Sequence, residues 1–416
     1  MTDAPRLRDA AWLKQGEIAR LLELLNRDGE QARVVGGAVR NALLQLPVAE
    51  IDVATTALPE EVMRRVAAAG GKAIPTGIEH GTITAVIHHH PVEVTTLRED
   101  VETFGRKARV AFGRDWKMDA ERRDFTINAL SVTPDGAVYD YVGGFDDIAA
   151  RRVRFIGNPR QRIGEDYLRI LRFFRFHALF GAGAPDGAGL AACIEARAGL
   201  ETLSRERVRT EMLKLFVAAR ATPALAVMAE IGLLGLVLGG VAFLASFENL
   251  VKAESALGIE PDAVRRLGAL GVWVAEDAER LTPRLRLANA ESERLLALEY
   301  WWRVAPPADA QAARALLYDL GPQSFADRVL IAWSRSEAGA ADRAWRELAS
   351  LPQRWTAPVF ALKAADFTRR GIPAGPPLGV ALRAAEQAWI AADFPSDRAA
   401  LEAIADHAAK NTSVSN

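Results

Sequence analysis

The chain has 416 residues, of which half are apolar and 25% are charged, and its net charge is −1. A chain of this length and composition can bury a large core, and we expect roughly two to four folded domains. The near-zero net charge excludes a chain-wide electrostatic attraction to nucleic acid, so an RNA-binding surface would have to come from local clusters of Lys and Arg.

Cys193 is the only cysteine, which excludes disulfides within the chain and structural zinc sites built from several cysteines. A reducing compartment fits this composition, so we expect a cytoplasmic protein. The segment from Pro223 to Ala245 is apolar, but Glu230 and several glycines interrupt it, and the N-terminal residues show no apolar run. We therefore expect neither secretion nor membrane insertion.

The first 150 residues alternate between helical and strand patterns. Apolar residues recur at helical spacing in Trp12–Asn26 and in Pro59–Ala69. Six short runs have the composition and alternation of strands: Arg33–Val35, Glu50–Val53, Thr82–His88, Val92–Leu97, Ser131–Thr133 and Val138–Tyr141. This mixture predicts an α/β or α+β domain over residues 1–150.

A diglycine turn comes directly after the first predicted strand. Gly36 and Gly37 have no Cβ atoms, so their backbone N–H groups can approach phosphate oxygens, and a helix predicted from about Val39 would add its positive end. Arg40 follows on that helix and offers a planar fork for phosphate. The arrangement suits a nucleoside triphosphate.

Two carboxylates are spaced two residues apart in the next predicted strand. Glu50 and Asp52 would project from one face while Ile51 and Val53 are buried on the other, and such a pair suits Mg²⁺. A solvated strand edge after a glycine turn would show the same spacing. Glu93, in a later strand, could complete a carboxylate triad or form a structural salt bridge.

The segment Arg98–Glu121 is long, charged and contains glycine, which predicts either a mobile loop over an active site or a disordered connection. A helical stretch is predicted next. There Arg122 can pair with phosphate oxygens, Asp124 can accept from a ribose hydroxyl, and Asn128 would share the helix face of Asp124. A helix start with N-terminal charges is the alternative.

From Glu165 onward the patterns are helical. On a helix, Asp166 and Arg169 are three residues apart, so a carboxylate and a guanidinium can lie side by side. That pair would match the amino group and ring nitrogen shared by cytosine and adenine, but not uracil or guanine. An intrahelical surface ion pair of Glu165 with Arg169 is the alternative. Arginines recur from Arg151 to Arg175 and are interleaved with phenylalanines, which favours a basic RNA-facing surface over a merely solvated one.

Three further motifs favour structural interpretations. The side chains of His88, His89 and His90 would point in different directions, which argues against a metal site. The consecutive residues Tyr300–Trp302 would fan out around a helix, which predicts core packing instead of one stacking face. Ser204 is predicted to cap a helix.

Together these segments resemble the bacterial class II CCA-adding enzymes and the related poly(A) polymerases of the nucleotidyltransferase superfamily. The motifs that carry the resemblance occur in the family's order between residue 33 and about residue 215: Gly36-Gly37-x-Val-Arg, Ile51-Asp-x-Ala-Thr-Thr, Glu93-Val-Thr-Thr-Leu-Arg, Arg122-Arg-Asp-Phe-Thr-Ile-Asn-Ala and Glu165-Asp-x-x-Arg-x-x-Arg. The resemblance implies an α+β nucleotidyltransferase head of the polymerase beta-like type with a mixed sheet over residues 1–150. An all-helical neck with the base-recognition helix (151–222) and a helical body and tail that bind tRNA (223–416) would follow.

The resemblance also implies an activity, namely the Mg²⁺-dependent addition of CMP, CMP and AMP from CTP and ATP to the 3′ end of tRNA without a template. An enzyme restricted to ATP and a tRNA-binding homologue that has lost turnover remain alternatives. The sequence indicates no membrane partner and no particular oligomeric state.

By the same resemblance, Glu50 and Asp52 would be metal ligands and Asp166 and Arg169 would read the base. Nucleotide contacts are expected from the diglycine and from the charged motifs: Gly36, Gly37, Arg40, Arg122, Asp124, Asn128 and Arg172. Two positions depart from the family pattern, which has Asp where this chain has Glu50 and Asn41. A Glu adds a methylene to a ligand of an ion that demands near-octahedral geometry, so we expect turnover to suffer more than binding.

Overall fold

The computed structural model describes residues 7–14, 16–104, 107–306 and 309–414. The chain divides into two compact units, Met1–Val237 and Leu238–Asn416. The domain boundaries expected at residues 150 and 222 stay predictions. None of the helices in the described ranges combines the length and the apolar character needed to cross a membrane.

The first unit contains all the strands of the described residues. They are β1 (Ala32–Val35), β2 (Asp52–Thr55), β3 (Lys72–Gly77), β4 (Thr82–Ile87), β5 (His90–Thr96), β6 (Arg98–Phe104), β7 (Lys107–Phe112), β8 (Ser131–Val132) and β9 (Val138–Tyr139). Its helices are α1 (Ala11–Lys14), α2 (Gly16–Leu25), α3 (Gly37–Leu43), α4 (Pro59–Ala68), α5 (Trp116–Glu121), α6 (Gly144–Ala149), α7 (Pro159–Glu165), α8 (Leu168–Phe180), α9 (Gly187–Ala196), α10 (Arg205–Phe216) and α11 (Ala221–Glu230).

The remainder of the described chain is helical. Helix α12 (Leu233–Leu238) ends at the first residue of the second unit. The helices that follow are α13 (Leu244–Leu257), α14 (Ala263–Gly271), α15 (Ala275–Leu285), α16 (Asn289–Leu296), α17 (Ala310–Ser334), α18 (Arg343–Ala349), α19 (Leu351–Arg354), α20 (Ala364–Thr368), α21 (Pro376–Ala391) and α22 (Arg398–Val414). The α+β head followed by helices is therefore confirmed.

Seven strands form one mixed sheet in the order β3-β4-β5-β2-β1-β8-β9. Strands β2 and β5 are parallel, which requires a crossover, and α4 belongs to the segment that makes it. The other pairs are antiparallel. Helices α2 and α4 contact each other and the sheet, and together they bury Leu21, Leu22, Val34, Val66 and Val94. This core leaves the polar side of β2 and β5 available for a site.

Three local predictions were wrong because contacts distant in sequence overrode local patterns. The described residues of the segment Arg98–Glu121 form the antiparallel strands β6 and β7 and the helix α5, where a loop or a disordered connection was expected. No helix runs through Asp124, because Phe125 is extended and bridges to Phe155, and only the 3-10 turn Thr126–Asn128 follows. The helical pattern from Glu165 to Arg172 is broken, since Asp166 is extended and its Oδ1 accepts from the amide of Leu168 at 3.2 Å at the start of α8.

The three aromatic residues after α16 also depart from the sequence prediction. Tyr300 has a left-handed backbone (φ 63°) and precedes the 3-10 turn Trp301–Arg303. None of these residues is buried, and Tyr300 and Trp302 are 40% and 50% exposed. Core packing is therefore not their role. Ser204, by contrast, lies at the N-cap of α10 as predicted, without a side-chain capping bond.

Candidate active site

The carboxylates of the sheet lie on neighbouring parallel strands. Asp52 and Glu93 are direct register partners, and so are Val53 and Val94 at the next position. Because successive side chains alternate between the two faces, the valines enter the core while both acids are exposed on the other face. Topology has thus brought together two acids that lie 41 residues apart in sequence.

Glu50 belongs to the same electrostatic site although it is not in the strand. Strand β2 begins at Asp52, so the prediction that both acids project from one strand is wrong for Glu50, which is exposed in irregular backbone. Loss of hydration raises the pKa of Asp52 above its ordinary value, and the charges of Glu93 and Glu50 raise it further, while Arg123 opposes the shift. Three negative charges therefore act on one small region.

Carboxylate oxygens suit Mg²⁺, which would relieve the repulsion that raises the pKa of Asp52. Among the described residues, no three His, Cys, Asp or Glu side chains converge as a ready-made metal cage. Mg²⁺ is usually bound by one or two carboxylates together with waters and substrate phosphates. The acids present therefore fit a divalent cation.

The diglycine turn makes room for an arginine. Gly36 has φ 72°, and its amide donates to the carbonyl of Leu130 at 2.9 Å, so this N–H group is occupied within the protein. A Cβ atom at Gly36 would lie 3.3 Å from NH1 of Arg123. Gly37 begins α3 and lies in its first turn, where amides have no partner within the helix. Phosphate contact by Gly37 stays a prediction.

Arg40 is engaged inside the protein. Its side chain is buried, NH1 donates to Oδ1 of Asn128, and Nε and NH2 donate to Oδ1 of Asn41 at 3.1 and 2.8 Å. The guanidinium also lies 3.9 Å from the ring centroid of Phe180. Burial lowers the pKa of Arg40 to about 10, and the like charge of Arg175 acts in the same direction. In the structure Arg40 therefore connects α3 to Asn128 and Phe180. Direct phosphate binding by Arg40 stays a prediction.

Arg122 and Arg123 share one buried acid. Asp119 is 3% exposed, and its two carboxylate oxygens accept from Nε of Arg122 at 2.8 Å and from NH2 of Arg123 at 3.1 Å. Burial raises the pKa of Asp119, but the two arginines outweigh this and bring it below the ordinary value. Asp119 was missed in the sequence, although its i, i+3 and i, i+4 spacing from Arg122 and Arg123 could have indicated it.

Asp124, Asn128 and Arg172 form one network. Oδ2 of Asp124 accepts from Nε and NH2 of Arg172 at 2.8 and 2.5 Å, and Oδ1 accepts from Nδ2 of Asn128 at 3.3 Å. Burial raises the pKa of Asp124, but Arg172 and these hydrogen bonds lower it below the ordinary value overall. Arg40 also donates to Asn128. Four of the predicted nucleotide-binding residues are therefore linked by hydrogen bonds in the order Arg40, Asn128, Asp124 and Arg172.

Asp166 and Arg169 have separate partners. Oδ2 of Asp166 accepts from NH2 of Arg207 at 2.6 Å, whereas the guanidinium of Arg169 pairs with Glu165 and donates to the carbonyl of Arg162 at 2.6 Å. Glu165 and Arg169 therefore do pair, but the pair joins the end of α7 to the start of α8 and both side chains are mostly buried, so it is not the intrahelical surface pair left open by the sequence. Arg207 was missed because nothing in the local sequence marks it as the partner of Asp166.

A cavity of about 470 Å³ lies where the start of α8 meets α10. Glu211 on its wall connects it to the neighbouring network, since its carboxylate pairs with Arg175 at 2.5 Å and approaches Arg172 at 3.7 Å. The lining residues are Leu168, Ser204, Glu206, Arg207, Thr210 and Glu211.

The sheet and its charged face are those of a polymerase-type nucleotidyltransferase. Residues 32–154 match the sequence model of the poly A polymerase head domain, and residues 188–243 match that of the probable RNA and SrmB-binding site of polymerase A. Among solved structures, the Bacillus stearothermophilus CCA-adding enzyme in complex with CTP superimposes with a TM-score of 0.75 at 26% identity, covering 99% of this chain and all of that one.

Curated relatives define the family more closely. The human mitochondrial CCA tRNA nucleotidyltransferase 1 is 34% identical over 381 residues, which are 89% of this chain and 85% of that protein. The CCA-adding enzyme of Limosilactobacillus fermentum is 32% identical over 371 residues, 87% of this chain and 89% of that protein. The chain therefore belongs to the CCA-adding tRNA nucleotidyltransferase and poly(A) polymerase family, which confirms the resemblance of its motifs.

Proposed function

We propose that this chain adds CMP, CMP and AMP, taken from CTP and ATP, to the 3′ end of tRNA with release of pyrophosphate. The observation that carries the proposal is the in-register pair Asp52 and Glu93 on the open face of the head sheet, with Glu50 acting on the same region. Two findings on relatives support it. The chain is 34% and 32% identical to CCA-adding enzymes over 85% and 89% of their lengths, and it is similar in structure to one solved in complex with CTP.

In this proposal Glu50 and Asp52 would hold Mg²⁺, and Glu93 would add negative charge beside them. The chemistry that Mg²⁺ supplies when bound is neutralisation of phosphate charge and a lower pKa for the attacking 3′-hydroxyl. Arg123 partly balances the acids, as its effect on the pKa of Asp52 indicates, and Asp119 pairs with both Arg123 and Arg122. Both arginines would meet the triphosphate.

The nucleoside would contact the network around Asp124. Asp124 and Asn128 carry the acceptor and donor groups that a ribose needs, and Arg172 and Arg40 hold them in place. Asp166 would accept from the amino group of cytosine or adenine while Arg169 faces the ring nitrogen. A carboxylate has about four acceptor positions, so Arg207 can orient Asp166 without exhausting it.

The decisive experiment supplies labelled CTP and ATP, separately and together, to tRNA that lacks its last three nucleotides, with Mg²⁺ present. We expect CTP alone to add two residues and ATP to add one more afterwards. The control is Asp52→Asn, which removes a metal-binding charge. Extension with ATP only would assign an A-adding or poly(A)-forming enzyme, and tight tRNA binding without extension would assign a homologue that has lost turnover through Glu50.

The location of the protein is a related proposal. A cytoplasmic location is our expectation, based on a single, buried and unpaired cysteine. Relatives include both bacterial and mitochondrial proteins. Fractionation of cells that produce the chain from its own gene would test it.

A further inference from the structure

Five aromatic side chains of the second unit form one surface patch, which we call the aromatic patch: Phe243, Trp273, Tyr300, Trp301 and Trp302. Each ring contacts the next in a continuous row. The centroid distances are 4.9 Å for Phe243–Trp273, 4.9 Å for Trp273–Trp301, 6.0 Å for Trp301–Trp302 and 5.6 Å for Tyr300–Trp302. Trp273 is 40% and Trp302 50% exposed. Large aromatic rings left this open and contiguous indicate a binding surface.

The backbone holds the aromatic patch in place. The 3-10 turn Trp301–Arg303 follows the left-handed residue Tyr300, a conformation that costs energy for a bulky side chain and persists only where the surroundings impose it. Nε1 of Trp301 donates to the carbonyl of Trp273 at 3.0 Å, which ties this turn to the loop after α14. The rings are therefore ordered before any partner binds.

An arginine packs against two rings of the aromatic patch, and no carboxylate of the described residues is bonded to it. The guanidinium of Arg335 is 4.5 Å from the ring centroid of Trp273 and 4.6 Å from that of Trp301. It donates to the carbonyl of Val272 and, at 3.3 Å, to the hydroxyl of Ser246, while its buried NH1 has no hydrogen-bond partner among the described residues. Burial lowers the pKa of Arg335 to about 9. A nearby anion would therefore stabilise the charged form of its guanidinium.

Two more arginines flank the aromatic patch. The guanidinium of Arg303 is 4.4 Å from the ring centroid of Tyr300 and is exposed. NH1 of Arg280 donates to Asp277, but its buried Nε and NH2 have no partner in the described part of the chain. Of the acids here, Asp277 already accepts from the amides of Trp273 and Val274, and Glu299 is bonded to Tyr300. The exposed guanidinium of Arg303 favours an anionic partner.

We propose that the aromatic patch is a base-stacking surface for RNA, on which unpaired bases stack while a neighbouring phosphate pairs with the exposed Arg303. Within the proposed function, on which this identification of the RNA rests, the ligand is the tRNA substrate. Exposed aromatic rings beside arginines are the combination that binds unstacked bases and the phosphate backbone. A second copy of this chain fits less well, since a protein interface would bury the exposed Arg303, to which no carboxylate of the described residues is bonded.

The test measures the dissociation constant of the full chain for tRNA lacking its last three nucleotides, by filter binding at several KCl concentrations. For Trp302→Ala we expect binding weaker by about tenfold or more at every salt concentration, with the slope of log K against log[KCl] unchanged. Trp302→Phe should restore most of the affinity, because any aromatic face can stack. For Arg303→Ala we expect a shallower slope, by somewhat less than one unit.

The matched control is Arg343→Ala, since Arg343 is an exposed arginine of the same unit that pairs with Glu347. It should change neither affinity nor slope. Trp302→Ala should still fold and unfold cooperatively, because Trp302 is 50% exposed and is not a buried core residue. Wild-type affinity in both Trp302→Ala and Arg303→Ala would overturn the proposal. So would a wild-type dimer that Trp302→Ala dissociates, because it would assign the aromatic patch to a second copy.

Nucleotide incorporation separates this proposal from the proposed function. Trp302→Ala should raise the KM for tRNA and leave the KM for CTP unchanged. Wild-type chain that adds no nucleotide but binds tRNA through Trp302 would refute the proposed function and support the aromatic patch as an RNA surface. Normal incorporation together with binding that ignores Trp302 would support the function and refute the aromatic patch.

Discussion

Glu50 is exposed in irregular backbone just before β2, and it acts electrostatically on Asp52. The family pattern has Asp here, whose shorter side chain holds an octahedral ion more rigidly. We expect Glu50→Asp to raise kcat for CMP addition by about two- to tenfold and to leave the KM for CTP and for tRNA nearly unchanged. Single-turnover incorporation of labelled CMP measures the change.

Glu60→Asp is the matched control for this substitution, because Glu60 is an exposed acid in the first turn of α4. It should leave kcat as it is. A lower kcat in Glu50→Asp would show instead that the backbone before β2 is adapted to the longer Glu.

Asp166 is the residue on which the proposed base choice depends. Asp166→Ala removes the acceptor for the amino group of cytosine and adenine, so we expect the preference for CTP over UTP to fall by about tenfold or more while tRNA affinity is kept. Arg207→Ala should have a milder effect in the same direction, because Asp166 would stay but lose its orientation. Competition between CTP and UTP measures the preference, and an equal loss for all four nucleotides would contradict base reading.

At the scale of elements, the Asp124–Arg172 pair joins α8 to the turn after α5. Arg172→Met leaves a carboxylate that is 11% exposed without its cation. We expect a loss of about 2–3 kcal/mol in unfolding free energy, somewhat below the value for a fully buried pair because Arg172 is 32% exposed. Urea unfolding measures it.

Arg160→Met provides the comparison, since Arg160 pairs with Glu195 at the surface, where their side chains are 70% and 51% exposed. Its cost should stay below about 1 kcal/mol. Equal costs for the two substitutions would mean that Asp124 is stabilised by other groups.

The same pair predicts a pH dependence of stability. The folded pKa of Asp124 lies below that of an unfolded Asp, about 3.9, so the pair stabilises the fold above that pH. This stability is lost as the pH falls through the lower, folded pKa. We expect the unfolding free energy of the wild type to fall more steeply below about pH 4 than that of Asp124→Asn/Arg172→Met, and parallel curves would contradict it.

At the scale of the whole molecule, the chain consists of two compact units, Met1–Val237 and Leu238–Asn416. The proposed nucleotide site lies entirely in the first. Because a ligand stabilises only the unit that binds it, CTP with Mg²⁺ at about 100 times Kd should add about 2.7 kcal/mol to that unit. We expect two calorimetric transitions, of which CTP raises one, and one transition that shifts as a whole would contradict independent unfolding.

Much of the head could be predicted from local patterns. Alternating apolar residues placed β2 and β5 correctly within a few residues, and the amphipathic pattern of α4 was evident. The motifs also contain residues that the structure brings together, such as Asp52 with Glu93 and Asp124 with Arg172. The roles assigned to these residues stay predictions.

Other features had no local signal. The helix predicted through Asp124 was wrong because Phe125 pairs with Phe155, and Arg40 was expected to be available but is buried against Asn128. Arg207 joins Asp166 across 41 residues of sequence, which no spacing rule could indicate. In the second unit, consecutive aromatic residues predicted core packing, but the left-handed Tyr300 turns them outward.

By itself, the sequence determined the fold class, the family and the residue types of the site, because periodicity, glycine and charge spacing act over a few neighbouring residues. Only the tertiary structure decided which charges pair. Asp124 meets Arg172 across 48 residues, and Asp52 meets Glu93 through the register of parallel strands. Such pairs depend on strand order and helix packing, which arise from the burial of the whole core and not from any short segment.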